Sequence, residues 1–144
     1  MLVQQILKSK GNDGVITIKP GTRVSEAAQI LAERRIGGLV VSSDGETAEG
    51  ILSERDIVRS LAVRGANCMQ ETVDEMMTRN PVCCTRQDSS DAVLTRMTDG
   101  RFRHMPVVED GKLVGIVTIG DVVKARLQEL AMEKSALEGM IMGH

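Results

Sequence analysis

GILSERDIV fills residues 50–58 and GIVTIGDVV fills residues 115–123, and the two align without a gap. Each opens on an apolar run suited to a strand, sets a hydroxyl three residues before an Asp, and continues with helical spacing. A single Ser53-x-x-Asp56 or Thr118-x-x-Asp121 is a capping box. The hydroxyl accepts from a backbone N–H, and the acid favours the positive end of the helix. Two copies at matching places call for a duplicated unit.

Working outward, the flanking stretches repeat as well. VQQILKSKG (3–11) matches VDEMMTRNP (73–81), and the short runs VITI (15–18) and VCCT (82–85) read as strands. Helices are expected over 24–35, with Val24, Ala27, Ala28 and Leu31 on one face, and over 89–101, with Ala92, Val93 and Met97. GGLVVSSDGETAEGIL (37–52) and MPVVEDGKLVGIV (105–117) read as hairpins turning at Asp44-Gly45 and Asp110-Gly111. Each half therefore runs helix, strand, helix, strand, strand, helix. The expected units are residues 1–68 and 69–126, with a helical extension over 127–144. In that extension Val123, Leu127, Leu130, Leu137 and Ile141 keep a coiled-coil-like spacing. It either folds back on its own domain or meets a partner.

The 144 residues suffice for one ordinary domain, but each half alone is too small for a good core, so the halves should bury a face against one another. No apolar run approaches a membrane span, and the first residues are too short and polar for a signal peptide, so a cytoplasmic protein is expected. The net charge of −2 and a single aromatic, Phe102, argue against nucleic acid. Three cysteines, Cys68, Cys83 and Cys84, suit reduced thiols, the adjacent pair pointing to opposite faces of a strand. A Ser-His-Asp set, a Walker loop, a G-x-G-x-x-G run and a metal-spaced His/Cys cluster are all missing from a sequence whose histidines are His104 and His144. Cys83, Cys84 and His104 are the one conceivable metal set. Binding without chemistry fits best, with no catalytic cofactor and no metal.

A helix that starts directly after a strand offers unpaired N–H groups to an anion. A short carboxylate there accepts from both hydroxyls of a ribose, close to the backbone. Arg101, Arg103 and His104, in GRFRHMP (100–106), are the main phosphate candidates, with Arg55 beside Asp56. If residues 102–106 are extended, Arg103 and Met105 face one way and Phe102 and His104 the other. The alternative for these cations is a solvated charged loop.

GILSERD and GIVTIGD, MPVV before the second hairpin, and MMTRNPV at 76–82 resemble the CBS domain, the regulatory module named after cystathionine β-synthase. The resemblance covers residues 1–126 as a tandem pair. It implies an α/β (α+β) fold of two β-α-β-β-α units packed sheet to sheet with pseudo-twofold symmetry, and pairing into a homodimer. It also implies an adenosyl ligand (AMP, ADP, ATP, S-adenosylmethionine or NAD(H)) in clefts between the units. By the same resemblance Asp121 and Asp56 bind ribose, with Thr118 and Ser53 beside them. Adenine is held around Ile16, Thr17 and Ile18 with Gly38, Leu39 and Val40, and around Val82, Cys83 and Cys84 with Met105, Pro106 and Val107. Leu39 is expected where the second half has Pro106, and Ser53 where it has Thr, which makes the first cleft the weaker one. The module would act as an energy sensor reporting to a regulated protein, the alternative being a dimeric scaffold with unoccupied clefts.

Overall fold

The structure, a computed structural model, describes residues 1–11 and 15–142. Helix α1 (Val3–Lys10) is followed by β1 (Thr17–Ile18), α2 (Val24–Arg34), β2 (Gly38–Val41), β3 (Gly50–Ser53) and α3 (Glu54–Arg64). A 3-10 turn, Ala66–Gln70, leads to the one-turn helix α4 (Val73–Met76) and the short strand β4 (Thr78–Arg79). Then come α5 (Ser90–Gly100), β5 (His104–Glu109), β6 (Lys112–Thr118) and α6 (Ile119–Ile141). The duplicated mixed α/β plan is therefore present, each half holding a helix, an antiparallel hairpin and a second helix.

In the first half β1 pairs parallel to β2, β2 antiparallel to β3, and β4 joins the far edge through Ile51↔Thr78. In the second half β5 and β6 form the hairpin, and Cys84 supplies a parallel bridge to Val107. That bridge consists of Cys84 N donating to Pro106 O at 3.0 Å and Val108 N donating to Cys84 O at 2.8 Å. VCCT thus contributes a single bridged residue where a strand was expected. Asp110 (φ 51°) and Gly111 (φ 78°) make the tight second turn. The first turn is longer, because Asp44 Oδ1 gathers the N–H groups of Glu46 and Thr47 at 2.8 Å each into a loop. Those donors hold the Asp44 carboxyl down at about 2.

The cores depart from the contiguous halves expected at 1–68 and 69–126. Val3 and Ile6 of α1 pack with Val93, Met97, Met105, Val107, Val117 and Val122 of the second half. Val73 of α4 packs instead with Val24, Leu31, Leu39, Leu52 and Ile57 of the first. Each half lends its opening helix to the other. The exchange is tied by matching bonds: Val3 N to Asp88 O at 2.9 Å and Ser90 N to Met1 O at 2.8 Å mirror Val73 N to Thr22 O and Val24 N to Glu71 O, both 2.8 Å. This reciprocity is the pseudo-twofold symmetry.

The strand register also corrects one assignment. Pro106 pairs with Ile116 and Val40 with Ile51, so the counterpart of Pro106 is Val40, and that of Leu39 is Met105. The C-terminal extension continues α6 without a break, and Leu127, Leu137 and Ile141 on it are 61%, 58% and 77% exposed. Glu129 meets Ser90 and the amino terminus, but beyond it the described part of the extension is largely exposed and does not fold back on its own domain.

Candidate nucleotide cleft

Both hydroxyl–acid pairs are caps. Ser53 Oγ accepts from Asp56 N at 3.3 Å, while Asp56 Oδ2 accepts from Ser53 N at 2.9 Å and from its hydroxyl at 3.0 Å. Thr118 Oγ1 accepts from Asp121 N at 3.2 Å, and Asp121 Oδ2 accepts from Thr118 N at 2.9 Å. Capping and ligand binding are compatible, since the cap occupies only one oxygen of each carboxylate. Oδ1 of Asp56 takes no hydrogen bond from a described residue.

A cleft of 270 Å³ opens at Asp56. The first half contributes Ile51, Ser53, Arg55, Asp56 and Arg59, and the connection between halves contributes Thr78, Asn80, Pro81 and Val82. The turn after α5 contributes Gly100, Arg101, Phe102, Arg103 and His104. The alternation expected for residues 102–106 fails here because Arg101 is left-handed (φ 57°) and the strand begins only at His104. That turn brings Arg101, Arg103 and His104 to one cleft together with Arg55.

Arg55, Arg59, Arg101 and Arg103 form no ion pair with a described acid. Four uncompensated guanidiniums around one carboxylate make a site for a multiply charged anion that also carries hydroxyls. His104 adds a fifth nitrogen-bearing side chain. Burial holds its imidazole below the ordinary range, against the pull of Glu54 and Asp56, so near neutral pH it is an uncharged hydrogen-bonding group. Its ring lies over Gly37 and Gly38. A Cβ on Gly38 would sit 2.9 Å from His104 Cδ2.

The expected adenine residues fare differently. Val82 lines the cleft. Cys84, Met105 and Val107 are buried in the second core and Ile18 and Leu39 in the first; Pro106 and Val40 are buried outside both cores, while Ile16, Thr17, Gly38 and Cys83 are half-buried. The backbone edge expected to read adenine is partly spent, since Cys84 N and Pro106 O bond one another. Burial pushes the Cys84 thiol up to about 12, so it is an inert apolar side chain. Among the described residues no three His, Cys, Asp or Glu converge on a metal position, and His144 lies outside them. Ile51, Arg59, Thr78, Asn80, Pro81, Gly100 and Phe102 also line the cleft and are not in the sequence-based set. Arg59 was findable, being one helical turn beyond Arg55.

The second acid has a different neighbour. Asp121 Oδ2 accepts from Lys10 Nζ at 2.8 Å, and the same ammonium donates to Ile116 O at 2.9 Å. The first corner, expected to be the weaker, is the one rich in free cations.

The family profile of the CBS domain matches residues 8–63 and 73–128. The chain is 32% identical to the CBS domain-containing protein CBSX3, mitochondrial, of Arabidopsis thaliana, over 98% of its own length and 72% of the relative's. It is 31% identical to CBSCBSPB2 of the same plant over 86% of its own length, spanning less than a quarter (23%) of that larger protein. The CBS-domain containing protein ATU1752 from Agrobacterium tumefaciens superposes with a TM-score of 0.82 at 45% identity, covering 88% of this chain and 99% of that one. The CBS domain pair of MJ0100, solved with 5-methylthioadenosine and S-adenosyl-L-methionine, gives 0.76 at 30%, covering 90% and 98%. PAE2072 from Pyrobaculum aerophilum, solved with AMP, gives 0.76 at 25%, covering 92% and 99%. With its duplicated helix mouths, its exchanged cores and this match over both halves, the chain belongs to the CBS domain family, as a tandem pair.

Proposed function

We propose that the protein is a non-catalytic regulatory module that binds an adenosine nucleotide in the Asp56 cleft and reports its level to a regulated protein. The observation that carries this reading is the convergence of the Asp56 carboxylate with four unpaired arginines on one 270 Å³ cleft. The free Asp56 oxygen takes the ribose hydroxyls, and Val82 and Phe102 supply apolar contact for the base. Arg55, Arg59, Arg101 and Arg103 take phosphates. Such a ring of cations favours ATP, ADP or a dinucleotide such as NAD(H) over S-adenosylmethionine, whose sulfonium it repels. AMP fits with fewer arginines engaged. The ligands of MJ0100 and PAE2072 support the adenosyl part of the reading.

The module acts as a homodimer in this reading. Val58 on α3 and Val123 on α6 are equivalent positions, 63% and 41% exposed, and Leu127 extends the second patch. Sedimentation of Leu127→Glu should show a monomer where the parent chain is a dimer. The unpaired thiols Cys68, Cys83 and Cys84 fit a reducing compartment such as the cytoplasm. No described helix is long and apolar enough to cross a membrane.

Titration calorimetry with ATP tests the central reading. Asp56→Ala should weaken binding at least about tenfold, because the ribose loses a charged acceptor. The 2′-deoxy analogue should lose a comparable factor on the parent protein. Binding by Asp56→Ala as tight as by the parent would remove the assigned role.

A further inference from the structure

The two acids stand at equivalent helix mouths, yet the residues around them do not match. Lys10 follows Val3 of α1 at the same spacing that separates Asn80 from Val73 of α4. Asn80 lines the Asp56 cleft, whereas Lys10 reaches Asp121. The cause is local structure. After α4 the chain turns extended, and β4 pairs with β3 at Ile51. After Val3 it stays helical to Lys10, and the ammonium meets the carbonyl of Ile116, the counterpart of Ile51, in place of a strand. The strand registers carry the comparison further: Gly37 and Gly38 stand where the second half has Arg103 and His104. Gly120 stands where the first half has Arg55.

We infer that Lys10 is a built-in counter-ion that holds the second acid closed, so that the chain takes one phosphorylated nucleotide, at Asp56, and none at Asp121. Lys10 shares Oδ2 of Asp121 with the cap and Oδ1 takes no hydrogen bond from a described residue, so it is the charge of the ammonium that weakens this carboxylate as an acceptor for ribose hydroxyls. The ammonium is anchored at two points, so displacing it breaks two charged hydrogen bonds. Gly37, Gly38 and Gly120 replace three of the side chains that surround Asp56, so of the four arginine positions only Arg35 and Lys124, the counterparts of Arg101 and Arg59, keep a cation there to repay the loss with phosphate contacts.

This inference rests on the reading above, and calorimetry on the full chain with ATP and with adenosine separates the two. The parent should bind one ATP, lost in Asp56→Ala and unchanged in Asp121→Ala. Lys10→Met keeps the apolar stem and removes the charge. It should add a second adenosine site, with the Asp121 corner binding about tenfold tighter than in the parent, while ATP stays at one. Lys10→Gln serves as the second variant, with thermal melting to verify that both fold. Two ATP bound by the parent would overturn the inference while leaving the proposed function intact. So would an adenosine stoichiometry unchanged in both variants, or ATP binding lost in Asp121→Ala. Failure of every variant and the parent to bind either compound would overturn both.

Discussion

The Asp56 corner and the Asp121 corner share a backbone and differ in what is hung on it. Both have the same cap, a preceding antiparallel hairpin and the same left-handed residue closing the preceding helix, Arg35 at φ 54° and Arg101 at φ 57°. Backbone positions that shape the fold are thus kept in duplicate. The side chains that would meet a ligand are kept only in part: Arg101 matches Arg35 and Arg59 matches Lys124, but Arg103 stands against Gly37, His104 against Gly38, Arg55 against Gly120 and Asn80 against Lys10. A repeat can hold its architecture fixed while one copy specialises, because folding depends on the buried faces and binding on the exposed ones.

The exchange of opening helices offers the largest effect by which to test this comparison. Val3→Ala and Val73→Ala each empty part of a fully buried site and should cost about 2 kcal/mol. Hydrogen exchange should then rise across Val93, Met105 and Val117 for the first variant and across Val24, Leu39 and Leu52 for the second. Exposure confined to the substituted residue's own half of the sequence would break the pairing described here. Gly38→Ala comes next, at about 1–2 kcal/mol by denaturant melting, because the new methyl meets a rigid ring. Combining it with His104→Ala should recover most of that loss. The mirror test, Thr118→Ala against Ser53→Ala, should lower stability about equally, by about 1 kcal/mol each, but only Ser53→Ala should also weaken ATP.

His104 gives the smallest effect and a pH signature. Its imidazole titrates lower in the folded chain than in the unfolded one, so the unfolded chain binds more protons as pH falls through the ordinary His range near 6.5. Stability contributed by the neutral ring is present above that range and is lost on acidification. His104→Gln should flatten this slope, as read by melting between pH 7.5 and about 5.5. A phosphate beside the ring acts in the opposite direction, raising its proton affinity. ATP should therefore bind with proton uptake, and more tightly at the acid end.

Much of this architecture can be read from residue order. The Asp110-Gly111 turn, the face Val24, Ala27, Leu31, and the paired caps all rest on local rules that operate within a few residues. The exchange of α1 and α4 does not. Val3 and Val73 suit either core by composition, and which one they enter is decided by contacts between residues remote in sequence. Lys10 was invisible for the same reason, being one of several lysines until α1 carries it across to β6. Arg101, Arg103 and His104 were identified as cations, but their convergence hinged on a left-handed residue that a strand-like alternation does not foresee. Residue order alone sets Leu39 opposite Pro106, whereas the hydrogen-bond register sets Val40 there.

Because every half completes its interior with a helix borrowed from its sibling, a protease that nicks the connector near Gly65 would liberate no self-sufficient fragment. Either piece would carry a gap in its apolar heart and a stray amphipathic segment belonging to the other. The smallest heritable and foldable portion of this polypeptide is accordingly the duplex, and shuffling of its parts between genes must move both together.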